Sequence, residues 1–276
     1  AGILAILLGF RFIRLRHDAL WRRTVVASMV VVVAVSILSY ALVSREIKIC
    51  NKYQTVFYGI LKDSPDPSAD LEELGLDTKL SVLAGTNYFM DQYPVDIRTV
   101  EFKKNIDANV NHLKIAMFYM RHPERLIGKL EVAANNGFKL VQGFGNYEKY
   151  PGITYKKTAK IFTIWSDFKL KLLPHSLLFL ILFYGTCGFI IVMEYLRQRE
   201  TGNYIVLELS ALVWLTGIMQ FVMPIIGDGE ADLSKHLFMF NVCFDLMFFA
   251  LTTYCLSRLA IVLKSVFSLV AKPSTT

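Results

Sequence analysis

Four apolar stretches, residues 24–43, 172–196, 204–226 and 237–263, constrain this chain more than any other feature. Each is near the length of about twenty residues that crosses a bilayer as a helix. The first, TVVASMVVVVAVSILSYALV, is rich in β-branched valine and would suggest a strand in water. In lipid the backbone must satisfy its own hydrogen bonds, so a helix is expected there. With 54% hydrophobic residues and 19% charged, the composition is too apolar for an ordinary soluble domain of this length. The expected class is an α-helical polytopic membrane protein, with a mainly α extracytoplasmic domain, 44–171, inserted between spans.

Charge orients these spans. Arg11, Arg14, Arg16, Arg22 and Arg23 lie between two apolar segments, which marks a cytoplasmic connection. Flanking spans make a nucleic-acid patch redundant, so no nucleic acid is expected as a partner. Residues 1–13 read as the end of a cut membrane helix, and the chain as the C-terminal part of a longer protein. The remaining loops then alternate: 44–171 and 227–236 outside, 197–203 and the tail 264–276 inside. The expected location is a bacterial plasma membrane, crossed several times.

The polar middle carries helix signals. Asp66 before Pro67 starts one helix and Gly75 stops it in the left-handed region. Asp77 caps a second segment that ends at Gly85. His122-Pro123 opens a third, with Leu126, Leu130 and Ala133 on one face and Gly137 as its stop. Val110, Leu113, Met117 and Met120 recur at helical spacing, and a short strand is expected at residues 55–58. Cys50 is the only cysteine in this middle, so its core must hold without an internal disulfide. Gly143-Phe144-Gly145-Asn146-Tyr147 lacks the third glycine of a dinucleotide fingerprint and reads as a turn. Lys156, Lys157, Lys160 and Lys169, with Phe162, Trp165 and Phe168, form a basic aromatic segment suited to a headgroup surface. Lys156, Lys157 and Trp165 are therefore candidate substrate contacts. The same segment also reads as an ordinary amphipathic helix.

Chemistry concentrates in Gly227-Asp228-Gly229-Glu230-Ala231-Asp232-Leu233-Ser234-Lys235-His236. Carboxylates beside an imidazole suit a general base, a divalent metal, or a grip on sugar hydroxyls. Asp228, Glu230, Asp232 and His236 are the candidates for catalysis, and Lys235 for binding a phosphate. If the last helix begins at Ala231, Asp232 and His236 share a face. A solvated turn before a helix accounts for the same residues. Asn241 and Asp245, also four apart, sit inside the last span, nearly opposite Asp232 and His236 on one continuous helix. A carboxylate in a span marks either a functional site or a buried hydrogen bond, here expected to reach Gln220 or a helix of a preceding N-terminal part. Glu194 and Glu208 lie near the inner ends of their spans, within reach of arginines. His112 and His122 lack metal-ligand spacing. No Gly-x-Ser-x-Gly, Walker or HExxH pattern is present, and no metal site or cofactor is assigned beyond the divalent ion that the acidic loop would suit.

Several stretches resemble a known family. Phe57-Tyr58-Gly59-Ile60-Leu61-Lys62-Asp63-Ser64-Pro65, Asp70-Leu71-Glu72-Glu73-Leu74-Gly75-Leu76 and Leu83-Ala84-Gly85-Thr86-Asn87-Tyr88 are among them. Phe118-Tyr119-Met120-Arg121-His122-Pro123, Gly145-Asn146-Tyr147 and residues 227–241 complete the set. Together, from about Tyr53 onward, they resemble the C-terminal half of bacterial WsfD-like glycan-biosynthesis hexosyltransferases, similar in architecture to the GT-C membrane glycosyltransferases. The resemblance implies transfer of a sugar from a polyprenyl-phosphate donor to a cell-envelope glycan outside the membrane. It also implies that the catalytic carboxylate belongs to a first external loop that no residue of this chain matches. The loop 227–236 then supports a donor or acceptor site. The alternatives are a non-enzymatic assembly or receptor protein whose outer domain binds a glycan or protein, and, behind it, a transporter.

Overall fold

The structure is a computed structural model that describes residues 19–139, 163–198 and 204–270, with Gly2 and Gly9 besides. The protein is a polytopic helical membrane protein, and no strand occurs among the described residues. Helix α1 is Ala19–Leu42, and α2, Arg45–Tyr53, follows it directly. A π-helix over Gln54–Ile60 continues α2. Then come α3 at Pro67–Leu74, a 3-10 turn at Thr78–Leu83, α4 at Val100–Asn109, α5 at His112–Arg121 and α6 at Pro123–Asn136. Helix α7 is Ile164–Leu172, α8 Leu177–Arg197, α9 Ile205–Asp228, the single turn α10 Leu233–His236, and α11 Phe238–Val270.

Four of these are long and apolar enough to cross a membrane: Ala19–Leu42, Leu177–Arg197, Ile205–Asp228 and Phe238–Val266. Their starts differ from the sequence reading where capping decides. The run expected at 172–196 breaks at Leu173–Ser176, because Pro174 cannot continue α7 and the Ser176 hydroxyl accepts from the Phe179 N–H to begin α8.

The helices between the first two spans, called outer because they lie beyond the ends of α9 and α11, keep their expected caps. Asp66 accepts from the N–H groups of Ser68 and Ala69, and Gly75 stops α3 at φ 77°. Asp77 caps the 3-10 turn through the Lys79 N–H. The strand expected at 55–58 is replaced by the π-helix. Every residue there but Tyr58 is buried, and the Leu61 N–H reaches back to the Val56 carbonyl at 2.8 Å. A buried segment with no neighbouring strand must bond to itself, so β-propensity loses. The helical spacing of Val110, Leu113, Met117 and Met120 is met by α5 at His112–Arg121, with Val110 buried just before it. α5 turns Ile115, Phe118 and Tyr119 inward and leaves Leu113 and Met120 each 70% exposed. Gly137 stops α6 as expected, but with φ −57° rather than left-handed. It is small because a Cβ there would stand 3.3 Å from the Phe240 ring.

One core runs from the outer helices into α8, α9 and α11. Rings link the layers: Phe138 lies 4.8 Å from Phe244, and Phe244 lies 4.6 Å from Phe183. Helix α1 buries only Val25. The close pass of α8 and α9 depends on two glycines. A Cβ on Gly217 would fall 2.4 Å from the Tyr184 hydroxyl, and one on Gly188 would fall 2.6 Å from Trp214 Cζ2. Gly217→Ala is therefore expected to lower stability by about 1–3 kcal/mol through overpacking. Thermal unfolding in detergent measures it, and Gly185→Ala, where a Cβ meets open space, is the control expected to change nothing.

Candidate functional site at the joint between the outer domain and the spans

The acidic loop is built from the end of α9 upward. Gly229 ends that helix with φ 62° and ψ −131°, a conformation that only glycine holds without strain. It lies against Gly59 of the π-helix, backbone to backbone. A Cβ on Gly229 would stand 2.8 Å from the Gln54 carbonyl oxygen and 2.9 Å from Gly59 Cα. The loop is thus docked onto the outer domain, and the solvated-turn reading does not describe it.

Glu230 fastens that dock. Lys62 and Lys129 each donate to it at 2.5 Å, and Lys129 also reaches Asp63 at 2.6 Å. The Glu230 and Lys129 side chains are each 6% exposed. Burial works against the Lys62 ammonium, yet the hydrogen bond and charge of Glu230 outweigh it and hold that pKa above its ordinary value. Glu230 is therefore spent on structure, a correction to its candidacy as a base. Lys62, Lys129 and Asp63 escaped the sequence reading. One signal existed for Lys129: it interrupts the apolar face formed by Leu126, Leu130 and Ala133.

Asp228 and His236 make the second half of the joint. His236 Nε2 lies 2.9 Å from Asp228 Oδ2, with the imidazole 36% exposed and the carboxylate 14%. The expected Asp232–His236 pair does not form. Asp232 sits at φ 44° before the separate turn α10 and contributes its backbone carbonyl to the N–H groups of Lys235 and His236. The break at Leu237 between α10 and α11 also removes the single helix on which Asp232 and His236 were placed opposite Asn241 and Asp245. Lys235 is exposed beside His236. Burial, with the Asp228 charge nearby, pushes the Cys50 thiol up to about 11. That thiol is protonated at neutral pH and is no nucleophile. An imidazole held by one carboxylate and about a third exposed can hold a hydroxyl and take its proton.

Asn241 and Asp245 join a different cluster. Lys169 Nζ, fully buried, donates to Asn241 Oδ1 at 3.0 Å and to Asp245 Oδ1 at 2.8 Å and Oδ2 at 3.0 Å. Asn241 Nδ2 in turn donates to the Gly137 carbonyl. The partner expected at Gln220 is replaced by Lys169, which therefore does not face a headgroup surface. Trp165 stacks on Phe168 at 5.1 Å and packs on Phe249 at 4.9 Å. Lys156, Lys157, Lys160, Phe162 and the glycine turn 143–147 lie outside the described residues. Glu194 pairs with Arg258 and Arg197, as its position suggested.

Below the Asp228–His236 pair, α6, α8, α9 and α11 line a half-open apolar slot of ≈ 430 Å³. Ile127, Leu180, Ile218 and Phe240 are among its walls. Val222 in the slot precedes Asp228 by about 9 Å of helical rise. Among the described residues, no group of three or more His, Cys, Asp or Glu is gathered to hold a metal ion.

The outer domain adds carboxylates tuned by partners. The Lys129 hydrogen bond draws the Asp63 pKa below its ordinary value, His122 does so for Glu73, and Lys52 for Asp107. Folded pKa values below the unfolded ones stabilise the fold at pH above the unfolded carboxylate range of about 4 and lose that contribution as pH falls through the folded values. The thermal midpoint is expected to be flat from about pH 7 to about 5 and to drop below about pH 4. A midpoint that rises with acid would contradict these pairings.

Residues 1–267 match the family model described as the YfdI N-terminal transmembrane domain. No curated protein and no solved structure matches the chain.

Proposed function

The chain belongs to the YfdI N-terminal transmembrane domain family, and on that premise we propose that it is the membrane and outer-domain portion of a glycosyltransferase. The observation that carries this reading is the Asp228–His236 pair, 2.9 Å apart at the joint and open on the imidazole side. In the proposed reaction an acceptor hydroxyl attacks the anomeric carbon of a polyprenyl-phosphate sugar. Its proton passes to His236, whose ring Asp228 orients, while the bond from the anomeric carbon to the phosphate oxygen breaks. Polyprenyl phosphate leaves, with Lys235 beside it to offset its charge. The apolar slot beneath supports an isoprenoid donor. The acceptor is a cell-envelope glycan, and the resemblance over residues 53–88, 118–123 and 227–241 favours that substrate class. Arg22, Arg23, Arg197 and Arg258 all lie at the end of the spans away from the outer domain, which supports a cytoplasmic side there and a bacterial plasma membrane as the location.

The test is turnover of radiolabelled polyprenyl-phosphate hexoses onto isolated cell-envelope glycan by the full-length protein. His236→Gln and Asp228→Asn are expected to reduce it at least about a hundredfold, with unchanged melting. Wild-type turnover in both variants would leave the pair structural. A second reading, an assembly protein, draws on the exposed apolar stripe of Leu113 and Met120 on α5. Charged substitutions there that abolish co-purification of a partner without altering turnover would favour it.

A further inference from the structure

A crevice of ≈ 610 Å³ opens between α8, α9 and α11 at the end of the spans away from the outer domain. Its volume lies within the roughly 300–1,000 Å³ of small-molecule sites. Cys187, Ile191, Met247 and Leu251 form an apolar floor, and Glu194, Tyr254 and Arg258 stand at its polar lip. There the Tyr254 hydroxyl donates to Glu194 Oε1 at 2.8 Å, Arg258 donates to the same oxygen, and Arg197 approaches it at 3.7 Å. Two guanidiniums thus face one carboxylate, and the Arg197 side chain is 66% exposed. The lining itself pairs one carboxylate, Glu194, with one guanidinium, Arg258, and Arg197 beside Glu194 adds a second positive charge at the rim of the apolar well.

We infer that this crevice binds one glycerophospholipid, with a chain in the apolar well and the phosphate at Arg197 and Arg258. An empty apolar well in a bilayer forfeits dispersion contacts on every wall, so something apolar fills it. A helix of this chain or of a second copy is the rival occupant, and α1, which buries only Val25, is a span with much uncovered surface. Charge argues against it. Helix α1 contains no Asp or Glu, and its Arg22 and Arg23 lie at the same end as Arg197 and Arg258. Docking it there would bring like charges together, whereas a phosphate neutralises the excess and accepts from the planar guanidinium fork. The inference is independent of the transferase reading.

Native mass spectrometry of the full-length protein, extracted in mild detergent, tests it. One phospholipid per chain should survive delipidating washes. Arg197→Gln, an exposed change that leaves the helices intact, should lower retention roughly tenfold. Ala250→Trp, which fills the crevice, should abolish it. Added back singly, phosphatidylethanolamine and phosphatidylglycerol should rebind, and a phosphate-free diacylglycerol glycolipid should not. Equal retention in wild type and both variants, no retained lipid at all, or equal rebinding of the glycolipid would overturn the inference. So would a dimer mass that Ala250→Trp removes, which assigns the crevice to a second copy.

Discussion

Lys169→Met is expected to destabilise the protein by about 3–5 kcal/mol, the cost of leaving one member of a buried ion pair without its partner. Lys169 is wholly buried between α7 and α11 and meets both oxygens of Asp245, at 2.8 and 3.0 Å. Methionine fills most of the lysine's volume, so the loss reflects charge rather than a cavity. Asp245 stays behind in a span, its side chain 28% exposed, with Asn241 as its neighbour one turn away. Adding Asp245→Leu should restore most of the stability, because an apolar pair of similar volume often equals or exceeds a buried ion pair. Thermal or denaturant unfolding of the two variants checks this. A single variant as stable as wild type would mean that Asp245 is solvated and that Lys169 does not tie α7 to the bundle.

Gly229→Ala should be comparably severe, at about 2–6 kcal/mol, as two costs add. Holding a residue with a side chain at φ 62°, ψ −131° costs ~1–3 kcal/mol, and the clash of its Cβ costs a further ~1–3 kcal/mol. The atoms it would meet at 2.8–3.0 Å are the Gln54 carbonyl and the Gly59 backbone, none of which is the loose end of a side chain. The loop must lift away or the π-helix must move. Either shift displaces Asp228, one residue earlier, and loosens Glu230, one residue later. Gly59→Ala approaches Gly229 Cα at 3.0 Å without any strained φ and should cost less. Equal losses from the two substitutions would show that the clash, not the backbone conformation, sets the penalty.

Much of the fold was legible in the chain. Apolar length gave the four spans. Asp66-Pro67, Gly75, Asp77 and Pro123 gave boundaries of α3, the 3-10 turn and α6, because capping is a matter of neighbours within four residues, while α2 and α4 were not foreseen. The strand expected at 55–58 failed for a reason that lies outside the segment: it is buried with no strand beside it, so its backbone bonds to itself as a π-helix. The helical spacing at 110–120 held, but periodicity alone did not say that Leu113 and Met120 face outward. The candidate site was legible only as a region. The sequence marked 227–236 as charged but paired His236 with Asp232. A left-handed Asp232 and a helix break at Leu237 hand His236 to Asp228 instead. Glu230 looked like a free carboxylate because Lys62 and Lys129, its partners, are 168 and 101 residues away.

By itself, then, the sequence determined a multi-span helical membrane protein with a helical polar segment between its first two spans, since the length and polarity of each segment decide what solvent it can tolerate. Only the tertiary structure decided which charges are free to act. It spent Glu230, Lys129, Lys169 and Asp245 on binding the layers together and left His236, fixed by Asp228, open at the joint. Ion pairing is a property of distance in space, and these partners are brought near only when the segment from α2 to α6 packs on the end of α9 and α7 packs on α11.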